Sequence, residues 1–263
     1  MLRRLKDLEG FTVRASDGDI GSVENFLLDD ERWAIRYLVV DTVEFLDGRQ
    51  VLISPISFRQ VEWPARRFQL ALTMARIEQC PSTDMHLPVS RQHEEDFNLH
   101  YGYSSYWAYP DLWGMGPNPA MIAADREKVA AARSVALSEI RSYDSHLRST
   151  KEVRGYHIEG SDGEVGHVED FIVDDETWAI RYLILNTRNW WPGKQVLVSP
   201  DWLDRVSWSE AKVFVNLSRE EIKHSPEFTE ESFPTRDYEI KLHRHYNRQG
   251  YWVSDPVGKP YSR

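Results

Sequence analysis

One cysteine, Cys80, is all the thiol in a chain of 263 residues. A single cysteine excludes an internal disulfide framework, a Cys-rich zinc site and a cysteine-ligated iron–sulfur cluster. No stretch approaches the roughly 18–20 consecutive apolar residues of a membrane span. Met1 to Asp7 carries basic residues, but no apolar run follows them. No secretory signal is therefore expected, and the expected location is cytoplasmic. The sequence also lacks a Walker-type phosphate loop, a Rossmann fingerprint and a nucleophile elbow. Positive charge is short as well: 32 Lys and Arg against 42 Asp and Glu leave a net charge of −10. Such a chain repels a phosphate backbone, so no nucleic-acid partner is expected. Without a catalytic constellation, the expectation is no enzymatic activity, no catalytic residue, no cofactor and no metal site.

What is present is apolar mass, arranged twice. Hydrophobic residues make up 41% and aromatics 12%, with ten Trp, enough for two cores. Gly10 to Trp63 recurs without a gap as Gly155 to Trp208, an offset of 145 residues. Ser16-Asp-Gly returns as Ser161-Asp-Gly, Asp29-Asp-Glu-Arg-Trp-Ala-Ile-Arg-Tyr-Leu as Asp174-Asp-Glu-Thr-Trp-Ala-Ile-Arg-Tyr-Leu, and Gln50-Val-Leu-Ile-Ser-Pro as Gln195-Val-Leu-Val-Ser-Pro. The offset also carries Leu2-Arg3 onto Leu147-Arg148, Pro81 onto Pro226, and His100-Tyr101 with Tyr106-Trp107 onto His245-Tyr246 with Tyr251-Trp252. The period is far too long for a solenoid, so this is a duplicated domain. The expected division is a first barrel over 1–81, an aromatic arm over 82–113, an Ala-rich helical linker over 114–146, a second barrel over 147–226, and an aromatic, basic arm over 227–263.

Within one copy, Phe11–Ala15 and Ile20–Leu28 read as strands flanking an Asp17-Gly18 hairpin turn. Trp33–Asp41 reads as a third strand and Arg49–Ile53 as a fourth, ended by Ser54-Pro55. Arg59–Trp63 and Arg67–Leu72 form a last hairpin. A short helix begins at Thr73, and its counterpart at Ser218-Arg-Glu-Glu221 has the form of a capping box. Six short strands separated by tight turns predict a small closed or nearly closed β-barrel. Both faces of Trp33-Ala-Ile-Arg-Tyr-Leu-Val-Val are largely apolar, so this strand should be covered on its outer side too. Arg36 and Arg181 sit on one of those faces and need carboxylates if buried: Glu24 or Asp29, and Glu169 or Asp174. From Pro119 to Leu147 the run is Ala-rich, with Asn118 and Pro119 as N-cap and first helical residue, and predicts one long helix.

These residues carry a family resemblance. The opening Gly-x-x-Val-x-x-x-Asp-Gly-x-Ile-Gly from Gly10 to Gly21, the Asp-Asp…Trp-x-Ile-Arg-Tyr-Leu strand and the Val-Leu-Ile-Ser-Pro strand resemble a PRC-barrel domain. Thr187-Arg-Asn-Trp-Trp-Pro-Gly-Lys resembles bacterial tandem PRC-barrel proteins, and Pro88-Val-Ser-Arg-Gln-His…His-Tyr-Gly…Tyr-Trp resembles the arm that follows the barrel in them. The resemblance spans both compact units and both arms. It implies a mainly β fold of two six-stranded barrels in tandem, joined by a long helix, each followed by a short helix and an aromatic arm. The family includes the cytoplasmic domain of the photosynthetic reaction-centre H subunit and the C-terminal domain of a ribosome-maturation factor, where the barrel is a docking module.

The remaining candidates divide between packing and recognition. Asp29-Asp30 and Asp174-Asp175 suit solvated turns better than an acid/base pair. His93, His100, His243 and His245 could suggest a metal, but only His100 and His245 match between copies. Cys80 faces Ser225 across the repeat and reads as inert. From Thr235 on, six Lys or Arg stand against three acids among interleaved rings; the first arm shares the rings but not the charge. Trp190-Trp191 replaces Phe45-Leu46 at a hairpin tip, and an exposed Trp is a good interface anchor. The partner-binding candidates are thus Phe45, Trp190, Trp191, His100, Tyr101, Tyr106, Trp107, His245, Tyr246, Tyr251 and Trp252. Gly10, Asp17, Gly18, Gly21, Trp33, Arg36, Gly155, Asp162, Gly163, Gly166, Trp178 and Arg181 are expected to shape turns and strands.

The function expected is a non-catalytic interaction or scaffold module with an unidentified protein partner. A small-molecule or cation sensor at a cleft between the barrels is the alternative, and an accessory factor of a membrane photosynthetic, electron-transport or ribosomal complex is a further one. Peripheral attachment to a membrane complex and homo-oligomerisation stay open.

Overall fold

The computed structural model describes residues 1–42, 45–81, 89, 91–124, 146–187, 193–229 and 234–254. The first repeat supplies strands β1 Leu2–Arg4, β2 Thr12–Arg14, β3 Asp19–Asp29, β4 Ala34–Asp41, β5 Gln50–Ile53, β6 Phe58–Glu62 and β7 Arg67–Leu70. The second supplies β8 Leu147–Ser149, β9 His157–Gly160, β10 Gly163–Asp174, β11 Ile180–Asn186, β12 Gln195–Val198, β13 Leu203–Ser207 and β14 Lys212–Val215. They form two seven-stranded sheets. One runs β5-β4-β3-β2-β7-β6 with β8 paired to β3; the other runs β12-β11-β10-β9-β14-β13 with β1 paired to β10. The chain is mainly β, as expected, and the two orders are the same order twice.

Of the closed or nearly closed six-stranded barrel expected, the pairings give the six-strand path without closure. Each six-strand path gains a seventh strand, and among the described residues no pairing joins β5 to β6 or β12 to β13. The corner chemistry accounts for the opening. After β5, Ser54 accepts from the Ile56 N–H and Pro55 starts a 3-10 turn over Pro55–Ser57; Ser199 and Pro200–Trp202 repeat this after β12. Proline has no N–H to give a ladder, so the chain turns out of the sheet between these strands.

Two glycines are dictated by close approach. A Cβ on Gly21 would lie 1.8 Å from the Asp41 carbonyl oxygen, and one on Gly166 2.1 Å from that of Asn186. Both occupy positive φ, +149° and +155°. They let β3 and β10 press against the ends of β4 and β11. Trp33 and Trp178 also hold positive φ, 51° and 59°, a costly setting for a bulky residue. Each N–H closes the preceding turn on a carbonyl, Asp29 and Asp174 respectively.

Every residue from Ala34 to Val40 is at most 2% exposed, so the two-sided burial expected of this strand holds. Thr73 caps the helix Met74–Glu78 by accepting from the Arg76 N–H, and Ser218 forms the full capping box of Arg219–Lys223. Asp17 and Asp162 in the hairpin turns also accept from the first N–H of these helices, Met74 at 2.8 Å and Arg219 at 2.7 Å. Asn118 caps Pro119–Ala124 through the Met121 N–H. The rest of the expected long helix lies outside the described residues. Neither arm was expected to be helical beyond its short helix, yet Arg91–Tyr101 and Arg236–His245 are helices.

By its internal contacts the chain divides into two compact units, and the division does not follow the repeat. The first holds Met1, Arg3–Val153 and Ile172–Ile180; the second holds Leu2, Arg154–Phe171 and Arg181–Arg263. Within the first unit Trp178 is buried against Phe58 and Phe68, with ring centroids 5.4 and 6.0 Å away.

Candidate functional site

In the first unit, β3, β4 and the arm meet in a buried polar cluster. Asp29 ends β3, and Arg36 and Tyr37 stand on β4. Arg36 is 1% exposed and Asp29 fully buried. Arg36 Nε and Nη2 both donate to Asp29 Oδ2, at 3.2 and 2.8 Å, and Nη1 donates to the Leu112 carbonyl at 2.7 Å. Its guanidinium lies 3.7 Å from the Tyr106 ring centre and 4.9 Å from that of Trp113. Of the two carboxylates expected to serve Arg36, the structure selects Asp29. Burial alone would raise the Asp29 pKa. The charge and hydrogen bonds of Arg36, with the Glu31 N–H, outweigh it and hold the carboxyl below its usual range.

The arm helix Arg91–Tyr101 adds the second carboxyl. Glu94 is 1% exposed. Its Oε1 accepts from Tyr106 OH at 3.0 Å and Tyr37 OH at 3.3 Å, and Oε2 faces Arg91 Nη1 at 3.4 Å. Arg91 also donates to Tyr106 OH at 2.7 Å and stacks 4.4 Å from the Trp107 ring centre. Phe97, one turn on, meets the Tyr37 ring edge-on at 5.0 Å. Burial pushes the Glu94 carboxyl up to about 7, against the pull of Arg91 and the Tyr106 hydroxyl.

The second unit repeats the glutamate, tyrosine and arginine of this arrangement. Glu239 Oε1 accepts from Tyr182 OH and Tyr251 OH, both at 2.9 Å, and Oε2 faces Arg236 Nη1 at 3.0 Å. Arg236 lies 4.3 Å from the Trp252 ring centre, and Arg181 lies 4.0 Å from that of Tyr251. Burial raises the Glu239 carboxyl, opposed by Arg236 and the two tyrosine hydroxyls. Asp174, which belongs to the first unit, accepts from Thr177 Oγ1 at 3.0 Å. The histidine pair is duplicated too: His100 Nε2 donates to the Arg76 carbonyl at 2.7 Å and His245 Nε2 to that of Glu221 at 2.8 Å. These contacts clamp each arm onto the short helix that precedes it.

The candidate partner-binding residues fall into three sets. Tyr101, Tyr106 and Tyr246 are buried; His100, Trp107, Tyr251, Trp252 and Phe45 are half-buried; His245 is exposed. Trp190 and Trp191 lie outside the described residues. Among the strand and turn residues, Arg36 and Trp178 are buried and Trp33 and Arg181 half-buried; Gly10, Gly155 and Gly163 take positive φ in their turns. Gly18 sits in the first hairpin turn beside Asp17. Cys80 is buried, and burial raises its thiol pKa. Among the described residues no group of three His, Cys, Asp or Glu is placed to hold a metal ion.

Glu94 and Glu239, the centres of both clusters, were not singled out by sequence. The signal was there: Arg91-Gln-His-Glu94 and Arg236-Asp-Tyr-Glu239 share Arg-x-x-Glu at the repeat offset. A scan against models of protein families finds no match, and comparison with curated proteins finds none either. Among the described residues no helix is long and apolar enough to cross a membrane.

Proposed function

We propose that the chain is a non-catalytic interaction module of the PRC-barrel type, built twice, in which each sheet carries a locked aromatic arm. The two six-strand paths, bent at their Ser-Pro corners, are read here as barrels of that type. The observation that carries the reading is the duplicated anchor: a buried glutamate, two tyrosine hydroxyls and a stacked arginine at matching positions of both repeats. Two features favour a structural over a catalytic use. Glu94 and Glu239, whose raised pKa would otherwise suit acid–base work, are 1% and 2% exposed, and a general acid must reach within hydrogen-bond distance of substrate. Arg36, one of the two arginines of a sensor reading, is 1% exposed and bound through all three nitrogens. Outside each anchor a half-buried tryptophan, Trp107 or Trp252, stacks on the anchoring arginine and is the part of the anchor we assign to a partner. Two such surfaces suit bivalent binding, which raises apparent affinity without new contacts.

The test is affinity capture of the tagged full chain from its own cells after mild cross-linking, with soluble and membrane fractions analysed separately. The wild type is compared with a W107S/W252S variant and a W190S/W191S variant of unchanged melting temperature. A stoichiometric partner weakened in either variant is expected. Self-association alone, or capture unchanged in both variants, would contradict the reading.

A further inference from the structure

The two arm helices keep the same inner positions and differ at the outer ones. Glu94 and Tyr101 recur as Glu239 and Tyr246, and all four are buried. The outer residues do not recur. Glu95, Asp96 and Leu99 of the helix Arg91–Tyr101 are replaced by Ile240, Lys241 and Arg244 of the helix Arg236–His245. Positions three and four apart share one helical face. One outer face therefore holds two acids and an apolar residue, and the other holds two bases and an apolar residue. Leu99 is 58% exposed and Ile240 40% exposed. Asp96, Lys241 and Arg244 are exposed too, and none of the three forms an ion pair with a described residue. Glu95 is half-buried, and one of its carboxylate oxygens accepts from Ser105 Oγ at 2.5 Å.

The spacing of the two faces matches in one orientation. Glu95 stands four residues before Leu99, and Arg244 stands four residues after Ile240. With the helices antiparallel and Leu99 laid on Ile240, Glu95 meets Arg244. Asp96 falls in the same turn, within reach of Arg244 and Lys241, and Asp237 falls level with Gly102, away from both acids. Laid parallel, Asp96 would face Asp237, and Glu95 would face Arg236, which is already paired with Glu239 at 3.0 Å.

We propose that the outer face of Arg91–Tyr101 in one copy of the chain docks antiparallel on the outer face of Arg236–His245 in a second copy, Leu99 on Ile240 and the two acids on the two bases. A second copy is the occupant because it always brings the opposite face in equal number. Helices of about 15 Å make a contact well below the roughly 1,200 Å² of a standard interface, so the association is weak and sensitive to salt. The contact joins two different faces. Two copies therefore either make it twice and close, or pass one face of each kind to the next copy. The contact uses neither Trp107 nor Trp252, so it does not rest on the interaction reading.

The test is sedimentation velocity of the full chain across a concentration series, at about 0.02 M and 0.5 M salt. The wild type should associate at low salt, with an association constant about tenfold lower at high salt. E95K/D96K makes both faces basic, and K241E/R244E makes both acidic. Each variant alone should associate at least about tenfold more weakly than wild type, because like charges then meet. Mixed in equal amounts they should associate again, since the basic face of one variant meets the acidic face of the other. A wild type that stays monomeric at low salt would overturn the proposal and leave these faces to a different partner. Association that either variant retains, or a mixture no stronger than its components, would overturn it as well. If one variant does not fold, the wild-type salt dependence and the other variant decide.

Discussion

Replacing Glu94 by Gln should remove a specific slope from the pH dependence of stability. Glu94 is 1% exposed, and burial lifts its pKa from 4.5 to about 7. One pKa unit corresponds to about 1.4 kcal/mol, so the shift represents about 3 kcal/mol of stability. The sign follows from proton binding. Below 4.5 both folded and unfolded chains hold the proton, and the contribution is complete. Between 4.5 and 7 the unfolded chain has released a proton that the folded chain keeps, so stability falls as pH rises. Above 7 the folded chain must house a buried carboxylate, and the contribution is gone. Glutamine keeps an acceptor for the Tyr37 and Tyr106 hydroxyls and does not titrate. Urea unfolding of wild type and E94Q at pH 5 and pH 8 isolates the effect, because groups elsewhere titrate equally in both. The stability difference between the two chains should move by about 2.5 kcal/mol in favour of E94Q on going from pH 5 to 8. A difference that stays constant across that range would refute the reasoning.

Three further outcomes follow from the same contacts. Asp29→Asn leaves Arg36 buried without its charge partner and should cost about 3 kcal/mol or more at neutral pH, measured by calorimetry; the wild-type contribution is itself lost as pH falls through the lowered Asp29 pKa. Gly21→Ala drives a Cβ into the Asp41 carbonyl and should lower the melting temperature far more than Gly10→Ala, whose Cβ meets nothing within 4 Å. Cys80 should react with a thiol reagent only on the timescale of unfolding, and Cys80→Ser, which copies Ser225, should change stability by less than about 1 kcal/mol.

The strands were legible because their signals are local. Asp17-Gly18 and Asp162-Gly163 mark hairpins, Ser54-Pro55 and Ser199-Pro200 mark corners, and an apolar run at Trp33–Val40 marks a strand covered on both sides. The partner of Arg36 was legible to within two candidates. Closure was not legible, since whether β5 meets β6 depends on where the Ser-Pro corner sends the chain, not on the strands themselves. The arm helices were missed for a different reason. Their buried positions, Arg91, Glu94, Phe97, Asn98 and Tyr101, and Glu239, Leu242, His243 and Tyr246, follow a helical period, but five of the nine are polar or charged. A search for an apolar stripe does not see such a face. Matching the two repeats does see it, because Arg-x-x-Glu and the tyrosines coincide at the repeat offset.

The claim on which the rest stands is that one buried anchor is built in both repeats. Double-mutant cycles test it most directly: Glu94→Ala with Tyr106→Phe in one unit, and Glu239→Ala with Tyr251→Phe in the other, each read by urea unfolding at pH 6. The account predicts a coupling of about 1–2 kcal/mol in both cycles, as for residues sharing one buried hydrogen-bond network. Coupling within about 0.3 kcal/mol of zero in either cycle would contradict it.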